Sequence, residues 1–281
     1  MLDAYISRAD LNAFVARVLA EDLGEGGDVT SSATIPERAR LNAVMASRDD
    51  VVAAGLPLAA MFFRALDPEV EIEQTAQDGD EAPAGTVLMR LSGNARKMLA
   101  AERSALNSLQ HLTGIATLTR AYVKAIEGTG CILLDTRKTI PGLRALGKYA
   151  SQMGGAQNHR MRLDDGILIK DNHVAVAGGV AEAVAAAKRA GASLQIQVEV
   201  DRLDQIELAL AAGAQRLLLD NMPPPVLRQA VELVDGRVPT EASGGVRLDT
   251  IRGIAETGVT YVSVGRITQS APAADIGLDY V

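Results

Sequence analysis

The second half of the chain carries short apolar runs that end on polar or charged residues or on glycine, and these ends recur every 20 to 35 residues. The runs lie at residues 131–134, 166–169, 194–198, 217–219, 238–240 and 261–264. Ala-rich stretches with a helical pattern separate the later runs, and they lie at residues 181–190, 203–211 and 225–233. This alternation predicts βα units and a parallel sheet. Because a parallel barrel places the C-terminal ends of its strands on one rim, the polar ends should surround a single mouth.

The first part of the chain has a different pattern, which predicts a small N-terminal α/β sandwich domain. An amphipathic stretch at 11–23 predicts a helix, and alternating or apolar pieces predict strands near residues 42–47, 70–74 and 87–91. Two helices should follow, at 95–110 and 114–126. We expect the N-terminal domain at 1–112, the barrel at 113–270, and a tail at 271–281 that packs back on the N-terminal domain. The tail shows neither a helical nor a strand period.

Composition narrows the class of protein. A chain of 281 residues with 48% hydrophobic residues can form a barrel plus a smaller domain. One cysteine, Cys131, gives no internal disulfide and no cysteine cluster for zinc. The start of the chain lacks a basic region followed by an apolar stretch, so we expect a cytoplasmic protein without a membrane segment. A net charge of -7 and the absence of Trp argue against a nucleic-acid partner.

Cationic side chains nevertheless collect where the mouth is expected. Arg137 and Lys138 follow the first run, His159 and Arg160 lie in the next loop, and Lys170 ends the second run. These groups would repel one another unless an anion with several charges binds among them, and arginine pairs well with carboxylate or phosphate. The alternative for any single one is an ordinary solvated loop charge.

Arg103 is a further candidate because a helix would place it on the face of Leu99 and Leu106. An arginine on an apolar face is either paired in a core or presented across an interface.

Two carboxylates, Glu199 and Asp220, end two other runs. Among anionic ligands, carboxylates usually hold Mg²⁺, ribose hydroxyls or a developing positive charge. Ion pairing with Lys170 or Arg137 is the alternative.

The glycine-containing segments 243–245 and 264–266 follow the last two runs, where barrels commonly bind phosphate through backbone N–H groups. The histidines form no pair at metal-ligand spacing, and neither a Gly-x-Ser-x-Gly motif nor a cysteine at a strand end indicates an activated nucleophile.

Several motifs occur along the chain in a single order. They lie at residues 21–24 (EDLG), 27–30 (GDVT), 102–107 (ERSALN), 135–142 (DTRKTIPG), 158–160 (NHR), 168–173 (LIKDNH), 219–221 (LDN), 241–245 (EASGG) and 270–272 (SAP). Through these motifs the chain resembles the quinolinate phosphoribosyltransferases, also called carboxylating nicotinate-nucleotide pyrophosphorylases. The sequence departs from the family pattern at Ile140, at Arg162 and by an extra glycine near Gly26. None of these positions belongs to the charged candidate residues described above.

The resemblance implies a pentosyltransferase of NAD biosynthesis. It would transfer phosphoribose from phosphoribosyl pyrophosphate to the ring nitrogen of quinolinate, releasing CO₂ and pyrophosphate and forming nicotinate mononucleotide. It also implies Mg²⁺, a cytosolic location, and a homodimer or higher oligomer in which Arg103 reaches the partner's site. The implied fold is an N-terminal α/β domain plus an incomplete barrel of about seven strands.

We assign roles to the candidate residues as a hypothesis. The proposed catalytic residues are Lys138, Lys170, Glu199 and Asp220. Among them, Lys138 would interact mainly with phosphate. Glu199 and Asp220 would bind ribose hydroxyls and Mg²⁺, directly or through water. The carboxylates of quinolinate would be bound by Arg103, Arg137, His159, Arg160 and Lys170. The segments 243–245 and 264–266 would bind the 5′-phosphate. The remaining substrate-binding residues are therefore Thr136, Ser243, Gly244, Gly245, Val264, Gly265 and Arg266.

Three alternatives stay open. A paralogue, similar to a branch associated with molybdenum transport, would keep the fold and take another acid. A class I aldolase would use Lys170 as a Schiff-base amine. A non-catalytic anion-binding protein would have no use for Glu199 and Asp220.

Overall fold

The computed structural model describes residues 2–191 and 193–281. In chain order its helices and strands are α1 (Arg8–Leu23), α2 (Val29–Thr34), β1 (Arg40–Ser47), β2 (Val51–Val52), α3 (Leu56–Leu66), β3 (Glu71–Gln74), β4 (Glu81–Ala82), β5 (Val87–Asn94), α4 (Ala95–Ala125), β6 (Ile132–Leu134), α5 (Arg144–Met153), β7 (Ile167–Ile169), α6 (Asp171–Ala177), α7 (Val180–Arg189), β8 (Ile196–Val200), α8 (Asp204–Ala212), β9 (Arg216–Asp220), α9 (Pro224–Val234), β10 (Thr240–Ser243), α10 (Ile251–Ala255), β11 (Tyr261–Ser263), α11 (Arg266–Gln269) and β12 (Ile276–Tyr280).

The chain forms two compact units. The first contains the chain through Arg120 together with Ile140–Gly155 and Ser270–Val281, and the second contains Ala121–Thr139 and Ala156–Gln269. The sequence-based boundary at 112/113 therefore differs from the compact units in two places. Residues 113–120 of α4 and the segment that contains α5 were both expected within the barrel domain, but they belong to the first unit.

The first unit is built on an antiparallel sheet with strand order β12-β1-β5-β3. Its core contains fully buried residues of α3 and β5 such as Phe62 and Met89. Helix α1 begins at an N-cap, Ser7, whose side chain accepts a hydrogen bond from the backbone N–H of Asp10 at 3.1 Å. Such a cap satisfies one of the free N–H groups of the first turn. The unit has the predicted α/β character.

The C-terminal tail forms a strand, contrary to the expectation that it has no regular period. Strand β12 pairs antiparallel with β1, with Met45 opposite Leu278. The Gln110 side chain also donates a hydrogen bond to the carbonyl of Ile276 at 2.7 Å. A strand paired with a partner more than 200 residues away in sequence leaves little local signal, because its stability comes from the ladder and not from its own pattern.

The two helices expected at 95–110 and 114–126 are one helix, α4, of 31 residues. Gly114, where the second helix was expected to begin, has another role. A Cβ at this position would lie 2.0 Å from the carbonyl oxygen of Pro272, so the tail's backbone can pass here only because residue 114 is glycine. The glycine marks a close approach of two backbone segments and not a helix end.

The second unit contains a parallel sheet that, within the described residues, has six strands in the order β6-β11-β10-β9-β8-β7. The alternation of strands with α6 to α11 confirms the predicted β/α class and the incomplete barrel. An isolated parallel bridge joins Leu134 to Gln157 beyond β6. This bridge extends the sheet by one residue pair at the position of a seventh strand.

Four of the six apolar runs overlap their strands closely, but the runs at 194–198 and 238–240 are displaced. Strand β8 covers Ile196–Val200, so Glu199 is its penultimate residue and does not follow it. Strand β10 covers Thr240–Ser243, so Glu241 lies within the strand instead of ending it. Glu241 is fully buried, with 0% of the residue exposed. This correction matters for the site because Glu241 becomes an interior residue of the second unit.

Helices long and apolar enough to cross a bilayer are absent from residues 2–191 and 193–281.

Candidate active site

Polar side chains share one face of the parallel sheet because successive residues of a strand alternate between faces. Gln197 and Glu199 share a face of β8, and Arg216 and Asp220 share a face of β9. Gln197 is aligned with Arg216 in the β8–β9 register, and Ser243 with Asp220 in the β9–β10 register. The sheet therefore gathers charged and polar groups that are far apart in sequence.

Lys170 and Glu199 form an ion pair at the ends of neighbouring strands. The Lys170 Nζ atom lies 2.5 Å from Glu199 Oε2, and the two side chains are 47% and 9% exposed. The backbone N–H of Lys170 also donates to His173 Nδ1 at 3.0 Å, which ties the residue to the start of α6. The pairing considered as the alternative role for Glu199 is thus present, between two residues that were both expected in the site.

Asp220 is electrostatically coupled to three of the predicted catalytic residues. Burial and the neighbouring charge of Glu199 raise the pKa of the Asp220 carboxyl, while Lys170, a hydrogen bond from Asn221 and Lys138 act in the opposite direction. Two carboxylates and two ammonium groups therefore occupy one region, as the spacing of strand ends predicts. The two acids repel each other, and the lysines offset only part of that repulsion.

Lys138 is held by a short turn after β6. Its backbone N–H donates to Thr136 Oγ1 at 3.0 Å, and its carbonyl accepts a hydrogen bond from Thr268 Oγ1 at 2.8 Å. A Cβ on Gly265 would come within 2.7 Å of the Lys138 side chain. Gly265 thus allows the aliphatic part of Lys138 to lie against the segment that follows β11.

The turn after β10 requires glycine. Gly244 and Gly245 have φ angles of +96° and +60°, in the left-handed region. A Cβ on Gly244 would lie 2.1 Å from the side-chain oxygen of Asn221, whose own backbone N–H donates to the Ser243 carbonyl at 2.8 Å. Asn221 in turn donates to Asp220 through its side-chain amide at 2.6 Å. The glycine turn and Asp220 are therefore linked through one asparagine.

Arg137 and Arg160 form a second cationic group. Burial lowers the pKa of Arg160, and the charge of Arg137 lowers it further, with Asp165 opposing both. Over the residues that the structure describes, Arg137 Nε is buried and makes no hydrogen bond. One Arg160 nitrogen donates to the carbonyl of Gly166 at 2.8 Å. Two neighbouring guanidinium groups with donor capacity left over suit a ligand with negative charge.

Asp135 orders the loop that carries these cations. It is fully buried and accepts hydrogen bonds from the Asn158 side chain at 2.6 Å and from the His159 backbone N–H at 2.8 Å. The carboxylate thereby fixes the segment that leads to Arg160. Its place directly after the first apolar run was visible in the sequence, but its role as an acceptor within the protein was not.

His159 is oriented into the protein by both ring nitrogens. Its Nδ1 accepts from the backbone N–H of Arg160 at 2.8 Å, and its Nε2 lies 3.4 Å from Glu241 Oε2. The same carboxylate oxygen accepts hydrogen bonds from Gln197 and from Arg216, each at 2.7 Å. We expected the His159 ring to bind a carboxylate of the ligand directly. This arrangement does not agree with that expectation, because the Nε2 atom of the ring already faces the Glu241 carboxylate.

The other predicted residues lie as follows. The backbone N–H of Val264 donates to the carbonyl of Leu134 at 3.0 Å, so this amide is occupied by the sheet and does not suit a phosphate ligand. Arg266 is exposed at the start of α11. Arg103 is exposed on α4 in the first unit, so of its two alternatives, pairing within a core does not hold for the single chain.

Sequence reasoning missed the interior partners Gln197, Arg216 and Asn221, and it gave Glu241 no role. Arg216 and Glu241 have opposite charges at the beginnings of two successive strands, which was a usable signal for an interior ion pair. Recognising it would have required the strand register, which apolar runs of three residues do not define.

The second unit is a β/α-barrel domain of the incomplete type, with a mixed-charge site at the C-terminal ends of its strands. Comparison with known proteins gives the family. The family model for the N-terminal domain of quinolinate phosphoribosyl transferase matches residues 28–113, and the model for its C-terminal domain matches residues 115–279. The chain belongs to the quinolinate phosphoribosyl transferase family, as its motifs indicated.

Individual proteins similar to this chain belong to the same family. The chain is 42% identical to a nicotinate-nucleotide pyrophosphorylase [carboxylating], chloroplastic, from Arabidopsis thaliana, over 96% of this chain and 82% of that protein. It is also 42% identical to the carboxylating enzyme of Mycobacterium leprae, over 94% of this chain and 95% of the relative. The solved structure of the nicotinate-nucleotide pyrophosphorylase from Francisella tularensis matches with a TM-score of 0.94 and 38% identity, covering 98% of each chain.

Proposed function

We propose that this protein transfers phosphoribose from phosphoribosyl pyrophosphate to quinolinate with loss of CO₂, giving nicotinate mononucleotide and pyrophosphate for NAD biosynthesis. Family membership supports the reaction, and one structural observation supports the site. The carboxylates Glu199 and Asp220 are coupled to Lys138 and Lys170 at the same strand ends. A site that only binds anions would gain nothing from two carboxylates that repel its ligand.

Arg137 and Arg160 are the proposed binding groups for the two carboxylates of quinolinate. Their charges disfavour each other in the ligand-free protein, and a dianion between them would remove that repulsion. Guanidinium groups can also form two parallel hydrogen bonds to a carboxylate, which would fix the plane of the pyridine ring. We assign orientation of the ring nitrogen toward the sugar to this pair.

Glu199 and Asp220 are the proposed groups that stabilise the sugar as pyrophosphate leaves. Positive charge develops at the anomeric carbon in such a transfer, and carboxylates held in place before the reaction stabilise it. Lys138 would face the departing phosphates, and Lys170 would exchange part of its contact with Glu199 for the substrate. The ring nitrogen is the nucleophile and carries no proton, so the transfer needs no general base. Once alkylated, that nitrogen can accept the electrons released by decarboxylation.

Mg²⁺ is proposed to enter with the pyrophosphate group. In the part of the chain that the structure describes, no group of three or more His, Cys, Asp or Glu side chains could hold a metal ion. Two carboxylates, Glu199 and Asp220, fit an ion that takes its other ligands from water and substrate phosphates, which is how Mg²⁺ commonly binds. When bound, the ion would neutralise charge on the leaving group.

The 5′-phosphate is assigned to the two segments that follow β10 and β11. The turn at Ser243, Gly244 and Gly245 has no side chain at its two glycines, and Arg266, next to Gly265, offers an exposed cation. We leave Val264 out of this set because its amide is bonded to Leu134.

Arg103 is proposed to act from one protomer on the site of its partner in a homodimer or a higher oligomer. Its exposure on α4 supports this role, since an arginine flanked by apolar helix positions is available to another chain. We also propose a cytoplasmic location, by analogy with the bacterial relative from Mycobacterium leprae, whose name gives no organelle.

The decisive experiment follows the release of labelled CO₂ from carboxyl-labelled quinolinate by the purified protein with phosphoribosyl pyrophosphate and Mg²⁺. Nicotinate in place of quinolinate is the control for the acid, and omission of Mg²⁺ is the control for the ion. Ribosylation of another acid without CO₂ release would contradict the proposal. Trapping of a carbonyl substrate on Lys170 by borohydride would instead support an aldolase.

A further inference from the structure

A charged network lies buried behind the proposed quinolinate site. Glu241 is 0% exposed, and its Oε2 atom accepts hydrogen bonds from Gln197 Nε2 and from an Arg216 guanidinium nitrogen, each at 2.7 Å. The Arg216 guanidinium also lies 4.0 Å from the centre of the Tyr261 ring. The Nε2 atom of His159 is 3.4 Å from the same carboxylate oxygen.

Glu241 is ionised over the working pH range. Burial raises the pKa of this carboxyl, but the hydrogen bond from His159 and the charge of Arg216 outweigh burial and hold the pKa below its usual value. A charge inside a protein is costly unless its partners are well placed, and an apolar set of the same volume would often stabilise the fold more. A function in the site is one reason for a chain to keep such a network.

The contacts of His159 indicate that function. Its Nδ1 accepts the backbone N–H of Arg160 at 2.8 Å, so the ring proton must lie on Nε2, the atom that faces Glu241. Neither nitrogen is then directed at a ligand. The ring instead joins a fixed carboxylate inside the sheet to the backbone of a predicted substrate-binding arginine.

We propose that Glu241, itself held by Arg216, is a positioning residue that fixes His159 in its Nε2–H tautomer and through it sets the position of Arg160. His159 then contributes to quinolinate binding through the Arg160 backbone and not through its own ring. This inference rests on the proposed function in one respect, the assignment of Arg160 to a quinolinate carboxylate. The tautomer of His159 does not depend on that assignment.

The first test is ¹⁵N NMR of the wild-type protein labelled in histidine, with His111 and His173 assigned by substitution. We expect the His159 ring to show the Nε2–H pattern in the free protein and to keep it when quinolinate is added. A His159 ring protonated on Nδ1, or one whose Nε2 signal reports a new hydrogen bond to quinolinate, would overturn the proposal. This result is informative even if the protein does not turn over quinolinate, so it separates failure of the proposal from failure of the assigned function.

The second test compares Glu241→Gln with Gln197→Met. Both changes remove one interior hydrogen-bonding group of the same network, but only the first removes the charge that faces His159. For Glu241→Gln we expect KM for quinolinate to rise about tenfold while KM for phosphoribosyl pyrophosphate stays within about twofold, as loss of one charge-assisted hydrogen bond allows. Gln197→Met should leave both constants within about twofold. Equal effects of the two variants on both substrates would indicate a structural role and would contradict the proposal. If Glu241→Gln fails to fold, the wild-type spectrum still decides.

Discussion

The ammonium group of Lys170 lies 2.5 Å from the carboxylate of Glu199, and this pair joins the ends of two adjacent parallel strands. Lys170 is half exposed, so water weakens the pair and its contribution to folding is small, on the order of 0 to 1 kcal/mol. The functional contribution should be larger, because a water-poor substrate complex strengthens each charge. Stability and activity can therefore be separated at this pair.

Glu199→Gln should lower kcat by about 100-fold while the melting temperature changes little. The substitution keeps the shape of the side chain and removes the charge that would stabilise the developing positive centre. Steady-state kinetics together with thermal unfolding provide the measurement. Asp164→Asn is the matched control, because it removes the carboxylate of another ion pair, Arg162–Asp164, at an exposed position. Wild-type turnover in Glu199→Gln would remove this residue from the catalytic set.

Asp220→Asn should make the protein more stable and less active. Burial and Glu199 raise the pKa of Asp220 above its usual 3.8, so the folded state holds the proton more tightly than the unfolded state. Stability contributed by this group therefore falls as the pH rises above 3.8, and the asparagine variant avoids that loss. Thermal unfolding from pH 4 to pH 8 should show the variant's advantage growing as the pH rises above 3.8 and levelling off above the folded-state pKa of Asp220.

Asp249→Asn gives the opposite sign and serves as the control. A hydrogen bond from Arg247 lowers the pKa of Asp249, so its contribution is present above 3.8 and is lost as the pH falls. An advantage of Asp220→Asn that is the same at every pH would show that the charge is not its cause.

Gly244→Ala should destabilise the turn after β10 by about 1 to 3 kcal/mol and reduce activity. A methyl group there would meet the Asn221 side chain at 2.1 Å, and the φ angle of +96° adds backbone strain. Displacement of Asn221 would also free Asp220 from its hydrogen bond. Denaturant unfolding measures the loss of stability, and Gly253→Ala, where a Cβ has no neighbour within 4 Å, is the control.

Gly265→Ala tests the placement of Lys138 without strain in the backbone. The new methyl group would contact the middle of the Lys138 side chain at 2.7 Å, and a flexible side chain can move away. We expect a folded protein with an unchanged melting temperature and a kcat reduced about tenfold or more, since Lys138 would be displaced from the phosphates. Unchanged kcat would mean that the position of Lys138 is not critical.

The parts of this fold that the sequence predicts are those with a local signal. Strand β9 and helices α8 and α9 follow from apolar runs and helical periodicity, and the cations at 137, 138 and 170 follow from their position after such runs. The reaction and its substrates were predicted from the resemblance of the motifs to a known family. Strand β12 and the continuity of α4 at Gly114 depend on long-range backbone contacts, which have no local pattern.

The interior partners were hidden for a related reason. Glu241 looks like the polar end of a short run, and only the register of β9 and β10 shows that it meets Arg216 inside the sheet. A displacement of a strand by one residue exchanges its two faces. Runs of three apolar residues leave that displacement undetermined, so sequence reasoning finds the rim of the site more readily than its supporting interior.

Mixing two inactive variants tests whether Arg103 serves the partner's site. Arg103→Ala and Lys138→Ala should each be nearly inactive, because each removes one cation from every site. If Arg103 acts across an interface, subunit exchange creates dimers in which one site has both defects and the other has neither, so the mixture regains activity. If Arg103 acts within its own chain, every site in the mixture keeps one defect and activity stays low. Arg17→Ala, an exposed arginine on α1 outside the proposed site, controls for loss of surface charge. Sedimentation of each variant must show the same assembly, since a change in assembly would also prevent exchange.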